Sequence, residues 1–286
     1  AGGYGGACGR DREVKVLFVG NDLDMPTMRA AAKRAGVEAR FLSSRAAAHA
    51  PEELLDADAA FVARDHGDHD RFDAAGRFAG IPFVAALGAE NIAAGFANLS
   101  AEDNALCNQY FVYGGEENLF YLLRLAQGRL FGAPLPPEPK RIPFDSIYAF
   151  NGRFYHTPEE YLTQEESGYR AYVGMLCYRS RYLSGDLEVE RSIKESFNRR
   201  GIGVIPAFTA GSAGDAGALS MEQAIRRFFY LGGKPVIEAL VNTVLFGQSD
   251  GSGASMFERA AELYAEMGVP VIRPAESSYL TEAEWR

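Results

Sequence analysis

Tyr178-Arg179-Ser180-Arg181-Tyr182-Leu183-Ser184-Gly185-Asp186 sets arginines and tyrosines directly behind an apolar run that reads as a buried strand. A guanidinium fork matches a carboxylate through parallel hydrogen bonds, and a tyrosine ring offers a flat apolar face with a polar tip. A planar ligand with an acidic rim needs both. The same residues also suit a plainer arrangement, in which Arg179 and Arg181 pair with Asp186 and Glu188 while Ser184 or Asp186 caps a helix. Asp65-His66-Gly67-Asp68-His69-Asp70 is dense in potential metal ligands, with Asp65, His66 and His69 as the candidate donors. Its spacing matches no standard site, and Asp68 or Asp70 also suits the cap of a helix starting at Arg71. Gly247-Gln248-Ser249-Asp250-Gly251 fits the GxSxG pattern of serine hydrolases, but that chemistry needs a later histidine. His49, His66, His69 and His156 all precede Ser249, so the stretch reads as a flexible loop. The glycines of Gly2–Gly9 precede a strand instead of following one, and so lack the context of a dinucleotide-binding turn.

The elements that must position these residues alternate between strand and helix. Val14–Gly20 is a continuous apolar run, as expected of a strand buried on both faces. The pattern predicts a helix over Met25–Ala35, a strand over Val37–Leu42, a short helix at Pro51–Leu55 and a strand over Ala59–Ala63. A helix over Arg71–Ala79, a strand over Ile81–Leu87 and helices near Ala101–Val112 and Glu116–Leu130 follow. Pro134, Pro136, Pro137 and Pro139 then form a stretch that cannot continue a helix and marks a connector. A second alternating series runs through strands at Tyr172–Cys177, Gly203–Phe208, Pro235–Val241 and Val269–Ile272. Helices at Leu187–Asn198, Ser220–Tyr230 (capped by Ser220) and Ser255–Met267 separate them.

This reads as α/β, with two consecutive doubly wound parallel-sheet domains of flavodoxin-like or Rossmann-like type. The expected division is a cut amino-terminal segment over 1–13, a first domain over 14–132, a Pro-rich connector over 133–168, a second domain over 169–276 and the start of a further segment over 277–286. In open parallel sheets the ligand lies outside the carboxyl ends of the strands. That rule selects Tyr178, Arg179, Arg181 and Tyr182 after one strand, Phe208 at the end of the next, and Asn242 and Thr243 after a third.

Composition narrows the classes. The chain has 286 residues, with 29 Lys+Arg against 38 Asp+Glu for a net charge of −9. An acidic surface without a basic stripe repels nucleic acid, so a small ligand or a protein partner is the better expectation. No apolar run approaches the roughly 18 residues of a membrane span, and none is expected. Cys8, Cys107 and Cys177 are odd in number and widely spaced, which fits a reducing cytoplasm and neither a disulfide framework nor a zinc site.

Val173–Asp186 (VGMLCYRSRYLSGD) resembles the VGxLFYRxHxLxGN segment of cobaltochelatase large subunits. Further segments fall in the same order. Tyr113–Leu119 (YGGEENL) is similar to their YGGxEN helix start, and Arg200–Phe208 (RGIGVIPAF) to their RGLNVLPVF. Leu240–Thr243 followed by Gly268–Pro274 resembles their VN…VPVLRP. The resemblance, to the family of cobaltochelatase and magnesium chelatase large subunits, covers most of residues 14–276. It implies a cytoplasmic, tetrapyrrole-binding large subunit of an ATP-dependent chelatase. Its partners are then an AAA+ ATPase subunit that uses MgATP and that ATPase's own co-subunit. The implied reaction inserts cobalt, a divalent metal substrate, into hydrogenobyrinic acid a,c-diamide. The alternatives are magnesium insertion into protoporphyrin IX, or a two-domain binding module without chemistry. The essential carboxylate is expected beyond Arg286. Arg181 stands where the family usually has His, and Ala149 follows Ile147-Tyr148 where Ile-Tyr-His-Pro is expected; imidazole binds metals and moves protons at neutral pH, whereas guanidinium does neither.

If Arg179 grips a ring carboxylate, Arg179→Ala is expected to weaken tetrapyrrole binding in an absorbance titration. Parent-like affinity overturns that role.

Overall fold

The computed structural model describes residues 14–20, 26–63, 74–88, 95–210, 218–244 and 256–274. The Asp65-His66-His69 cluster, the GxSxG stretch and the amino-terminal glycines lie outside them. The chain divides into two compact units, Ala1–Ile142 and Pro143–Arg286.

The first unit holds four strands, β1 (Val14–Gly20), β2 (Val37–Leu42), β3 (Ala59–Ala63) and β4 (Phe83–Ala86), paired in the order β2-β1-β3-β4. Every pairing is parallel. Side chains alternate across the pleat, so Val16 and Phe18 of β1 face one layer while Leu17 and Val19 face the other. Both layers are buried, which is why the run is apolar without interruption. On one face Phe18 stacks on Phe41 and Phe61, with ring centroids 5.3 and 5.2 Å apart. Helices Pro26–Ala35 and Gly115–Phe131 cover that layer through Met28, Ala31, Leu119, Leu122 and Ala126. The helix Ser44–His49, absent from the sequence reading, packs Ala47 onto the other layer under a Ser43 cap.

β4 is an edge strand with an unusual cover. Asn98, Asn104 and Asn108 place their side-chain oxygens on the backbone N–H groups of Val84, Ala86 and Gly88 at 2.7, 2.8 and 2.8 Å. Asparagine amides thus supply the acceptors that another strand would have offered.

The YGGEEN stretch closes the unit. Gly114 and Gly115 have φ of 65° and 77°, a region that side chains with a Cβ rarely enter, and they carry the turn between helices Ala101–Tyr113 and Gly115–Phe131. Asn118 then donates to Gly114 O and Lys140 O at 2.8 and 2.7 Å and accepts from Lys140 N at 2.8 Å. This buried amide ties down the end of the proline-rich stretch.

The second unit starts earlier than the sequence pattern indicates. Residues 143–168, read as connector, contain β5 (Ser146–Tyr148), β6 (Phe154–Tyr155) and the helix Pro158–Gln164. They join β7 (Tyr172–Tyr178), β8 (Gly203–Thr209), β11 (Ala239–Asn242) and β12 (Val271–Ile272) in a sheet of order β12-β11-β7-β8-β5-β6. Its central strands are parallel, while β5 runs antiparallel to β8 and β6. The fold is therefore α/β with sheets dominated by parallel pairs, plus an antiparallel edge that alternation alone does not reveal. Lys234-Pro235 belongs not to β11 but to β10, in a small hairpin with β9 (Tyr230–Leu231). Gly174 in β7 permits close packing: a Cβ there would lie 2.8 Å from Ile237 and 2.9 Å from Phe229. Lys194 and Glu166 form a largely buried ion pair beneath the sheet, beside the Tyr161 hydroxyl.

Asn118→Ala strands the Lys140 N–H and buried carbonyls without replacements. The expected cost is about 2–4 kcal/mol, read from urea unfolding; a loss below ~0.5 kcal/mol removes the clamp role.

Candidate functional site

In each sheet the first strand of the series lies between the second and the third: β1 between β2 and β3, β7 between β8 and β11. The winding direction therefore reverses between β1 and β3, and again between β7 and β11, and open α/β sheets bind ligands at the carboxyl ends flanking such a reversal. In the first unit those ends run into residues outside the described set. In the second they bring together Tyr178–Ser184, Thr209 and Asn242–Val244.

The stretch after β7 is not an open loop. Arg179–Ser184 is a short helix closed by Gly185, whose φ is 74°. Arg179 is buried; its Nε donates to Pro143 O at 2.7 Å, and its guanidinium lies 5.1 Å from the centre of the Phe144 ring. Arg181 sends Nε and Nη2 to the two carboxylate oxygens of Glu190 at 2.6 and 3.2 Å. Glu190 has no exposed side-chain surface, whereas Arg181 keeps 17%. Arg181 Nη1 faces the exposed Asp186 across 4.0 Å. The plainer sequence reading anticipated internal ion pairs, but with Glu188 where the structure uses Glu190. Position explains the substitution: Glu190 is the buried residue of helix Glu188–Asn198, and Glu188 faces solvent.

The tyrosines behave differently. Tyr182 is half-buried and packs on Phe208, Tyr148 and Phe154, with centroid distances of 4.9, 5.3 and 5.4 Å. Phe208 is wholly covered and reaches the rim only as the support beneath Tyr182. Burial pushes the Tyr182 phenol above its ordinary range. Tyr148 is pushed well up, first by burial and then by Cys177 and Glu190 nearby. Both phenols stay protonated at neutral pH, so the cluster presents neutral rings. Tyr178 is half-buried against the second core.

Asn242 and Thr243 are buried and occupied. Asn242 Nδ2 donates to the Tyr264 hydroxyl at 2.6 Å and its Oδ1 accepts from Val244 N at 2.9 Å. Thr243 N and Oγ1 donate to Leu176 O at 2.9 and 3.3 Å, fastening the end of β11 to β7. The structure thus gathers the sequence-selected residues at one edge, with Tyr178 and Tyr182 as partly exposed rings and Arg181 as the partly exposed cation.

Sequence reasoning missed Glu190 and Asp145. Asp145 Oδ1 accepts from Thr209 Oγ1 at 2.6 Å and Ala210 N at 3.3 Å, while Oδ2 accepts from Leu219 N at 2.8 Å. With Pro143 and Phe144 under Arg179, residues 143–145 form a strap across the carboxyl ends of β7 and β8. A signal existed in Ile147-Tyr148, matched to the family on the strand that begins just after Asp145, but a lone Asp behind prolines carries no pattern of its own. Among the described residues no group of three or more His, Cys, Asp or Glu side chains is arranged to hold a metal ion.

The CobN/Magnesium Chelatase family profile matches residues 108–286. The chain belongs to that family. An uncharacterized protein of Methanocaldococcus jannaschii is 26% identical over 183 residues, covering 62% of this chain and 15% of that protein. The H subunit of the magnesium chelatase of Cereibacter sphaeroides is 26% identical over 187 residues, covering 63% of this chain and 15% of the relative. The fold is similar to that of the catalytic subunit of cobaltochelatase from Mycobacterium tuberculosis, with a TM-score of 0.59 and 18% identity over 92% of this chain and 21% of that one. The chain therefore spans about 15% of the length of these curated relatives. No helix among the described residues is long and apolar enough to cross a membrane.

Asp145→Ala removes one acceptor from several donors at the rim. The expected cost is about 2–3 kcal/mol in urea unfolding, with Asp145→Asn retaining part of it; an unchanged midpoint for the Ala variant discards the strap.

Proposed function

We propose that this chain forms part of the tetrapyrrole-binding wall in the large subunit of an ATP-dependent metal chelatase, with cobalt and hydrogenobyrinic acid a,c-diamide as the substrates. The observation that carries the reading is the half-buried Tyr182, seated on a covered aromatic base at the carboxyl edge of a sheet in a chain of the CobN/magnesium chelatase family. A neutral ring on a rigid base suits one face of a flat macrocycle, and stacked aromatic pairs gain about 0.5–1.5 kcal/mol beyond their buried area. Arg181 suits the acidic rim: Nε and Nη2 stay on Glu190, while the loose, solvent-exposed pairing of Nη1 with Asp186 is the one a ring carboxylate displaces. Arg179, turned inward to Pro143 and Phe144, holds the wall instead of touching ligand.

Metal insertion requires loss of two pyrrolic protons, distortion of the ring and removal of water from the incoming cation. A carboxylate or imidazole near the ring centre serves as base in such a step. We assign that base to a part of the protein other than the residues described, and MgATP hydrolysis to an AAA+ partner with its co-subunit, both in the cytoplasm. Magnesium and protoporphyrin IX form the second reading, favoured by the 26% identity to the magnesium-chelatase relative of Cereibacter sphaeroides.

Absorbance titration of the full-length protein with hydrogenobyrinic acid a,c-diamide and with protoporphyrin IX tests both. The cobalt reading expects tighter binding of the former, and the reverse order selects the magnesium branch. Tyr182→Ala is expected to weaken the preferred ligand about tenfold; no binding of either tetrapyrrole overturns the proposal.

A further inference from the structure

Glu190 is an acid with no exposed surface in a helix whose remaining acidic residues face water or its margin. A carboxylate removed from water is expensive unless it is paired and hydrogen-bonded, and Arg181 supplies both conditions with two contacts. Position gives this pair a role beyond charge balance. Arg179–Ser184 is a helix of six residues, too short to hold itself in place. Tyr182 is adjacent to Arg181 on that helix, and its ring must lie on Phe208 and Tyr148 to present a fixed face. Ser184 Oγ returns to Arg181 O at 2.9 Å, so the turn carrying the ring closes on the residue that Glu190 grips. A single hydrogen bond lets a guanidinium swivel, whereas contacts to both carboxylate oxygens fix its plane.

We infer that Glu190 is a positioning residue: through Arg181 it locks the short helix Arg179–Ser184 so that Tyr182 is presented to a tetrapyrrole in one orientation. This inference rests on the proposed tetrapyrrole reading. It assigns part of the affinity to a side chain that never meets the ligand.

A double-mutant cycle on the full-length protein tests it, using absorbance titration with hydrogenobyrinic acid a,c-diamide and protoporphyrin IX. Glu190→Gln keeps size and one acceptor oxygen but loses the charge and the second acceptor. Coupled residues show strongly non-additive effects. Glu190→Gln is therefore expected to weaken binding about tenfold when Tyr182 is present and clearly less, about threefold, when Tyr182 is already Ala, the remainder passing through Arg181 itself. Equal losses in both backgrounds mean that Glu190 supports Arg181 or the fold without orienting Tyr182, and overturn the inference. So does undiminished affinity of Glu190→Gln beside a weakened Tyr182→Ala, which leaves the tetrapyrrole reading standing. Undiminished affinity of Tyr182→Ala, or no binding by the parent, sinks the reading itself. If Glu190→Gln fails to fold by thermal melting, Glu190→Asp, which keeps the charge but shortens the reach, is held to the same expectations.

Discussion

β7 is paired along both edges, with β8 on one side and β11 on the other, and the second unit is organised by that placement. The faces of β7 are covered as well, Leu176 packing into one core layer and Val173 and Met175 into another, so its residues are apolar and its polar consequences appear where it ends. At that end the chain emerges where the winding reverses, and the next residues are Arg179–Ser184. The covered charges there are then fixed by the scarcity of water: Arg179 turns to a backbone carbonyl, Glu190 closes on Arg181, and Asp145 collects hydroxyl and backbone donors. The half-buried surface left over includes the rings of Tyr178 and Tyr182 beside Arg181.

Most of the parallel framework was legible in the sequence, because strands buried on both faces leave long apolar runs. β1, β2 and β3 have the bounds expected from Val14–Gly20, Val37–Leu42 and Ala59–Ala63. Short elements held by tertiary contacts were not legible. β5 and β6 have three and two residues and sit in a stretch punctuated by Pro and Gly, too brief for any period to register. The helix Arg179–Ser184 was read as a loop because it has only six residues and its arginines find partners outside it, in Pro143 and Glu190, leaving no apolar stripe.

At the site, residue selection and residue role came apart. The rule about carboxyl ends selected residues that the fold gathers at one edge, since it follows from topology. It could not say which side chains face outward, since that depends on partners distant in sequence, such as Pro143 for Arg179. Several positions that carry the family resemblance serve backbone geometry: Gly174 admits Phe229 and Ile237, Gly114 and Gly115 make a turn closed to other residues, Asn118 holds Lys140, and Asn242 and Thr243 pin β11. The residues that carry the resemblance thus serve largely the scaffold.

The asparagines along β4 complete their sheet chemically without lengthening it. Asn98, Asn104 and Asn108 occupy the N–H groups of Val84, Ala86 and Gly88, so an incoming chain would have to dislodge three seated side chains before accepting from them. Sheet growth, whether into a neighbouring molecule or into a fibril, is blocked on that flank by residues that are themselves uncharged. A protein with a net charge of −9 thereby keeps one border from sticking without adding to its self-repulsion.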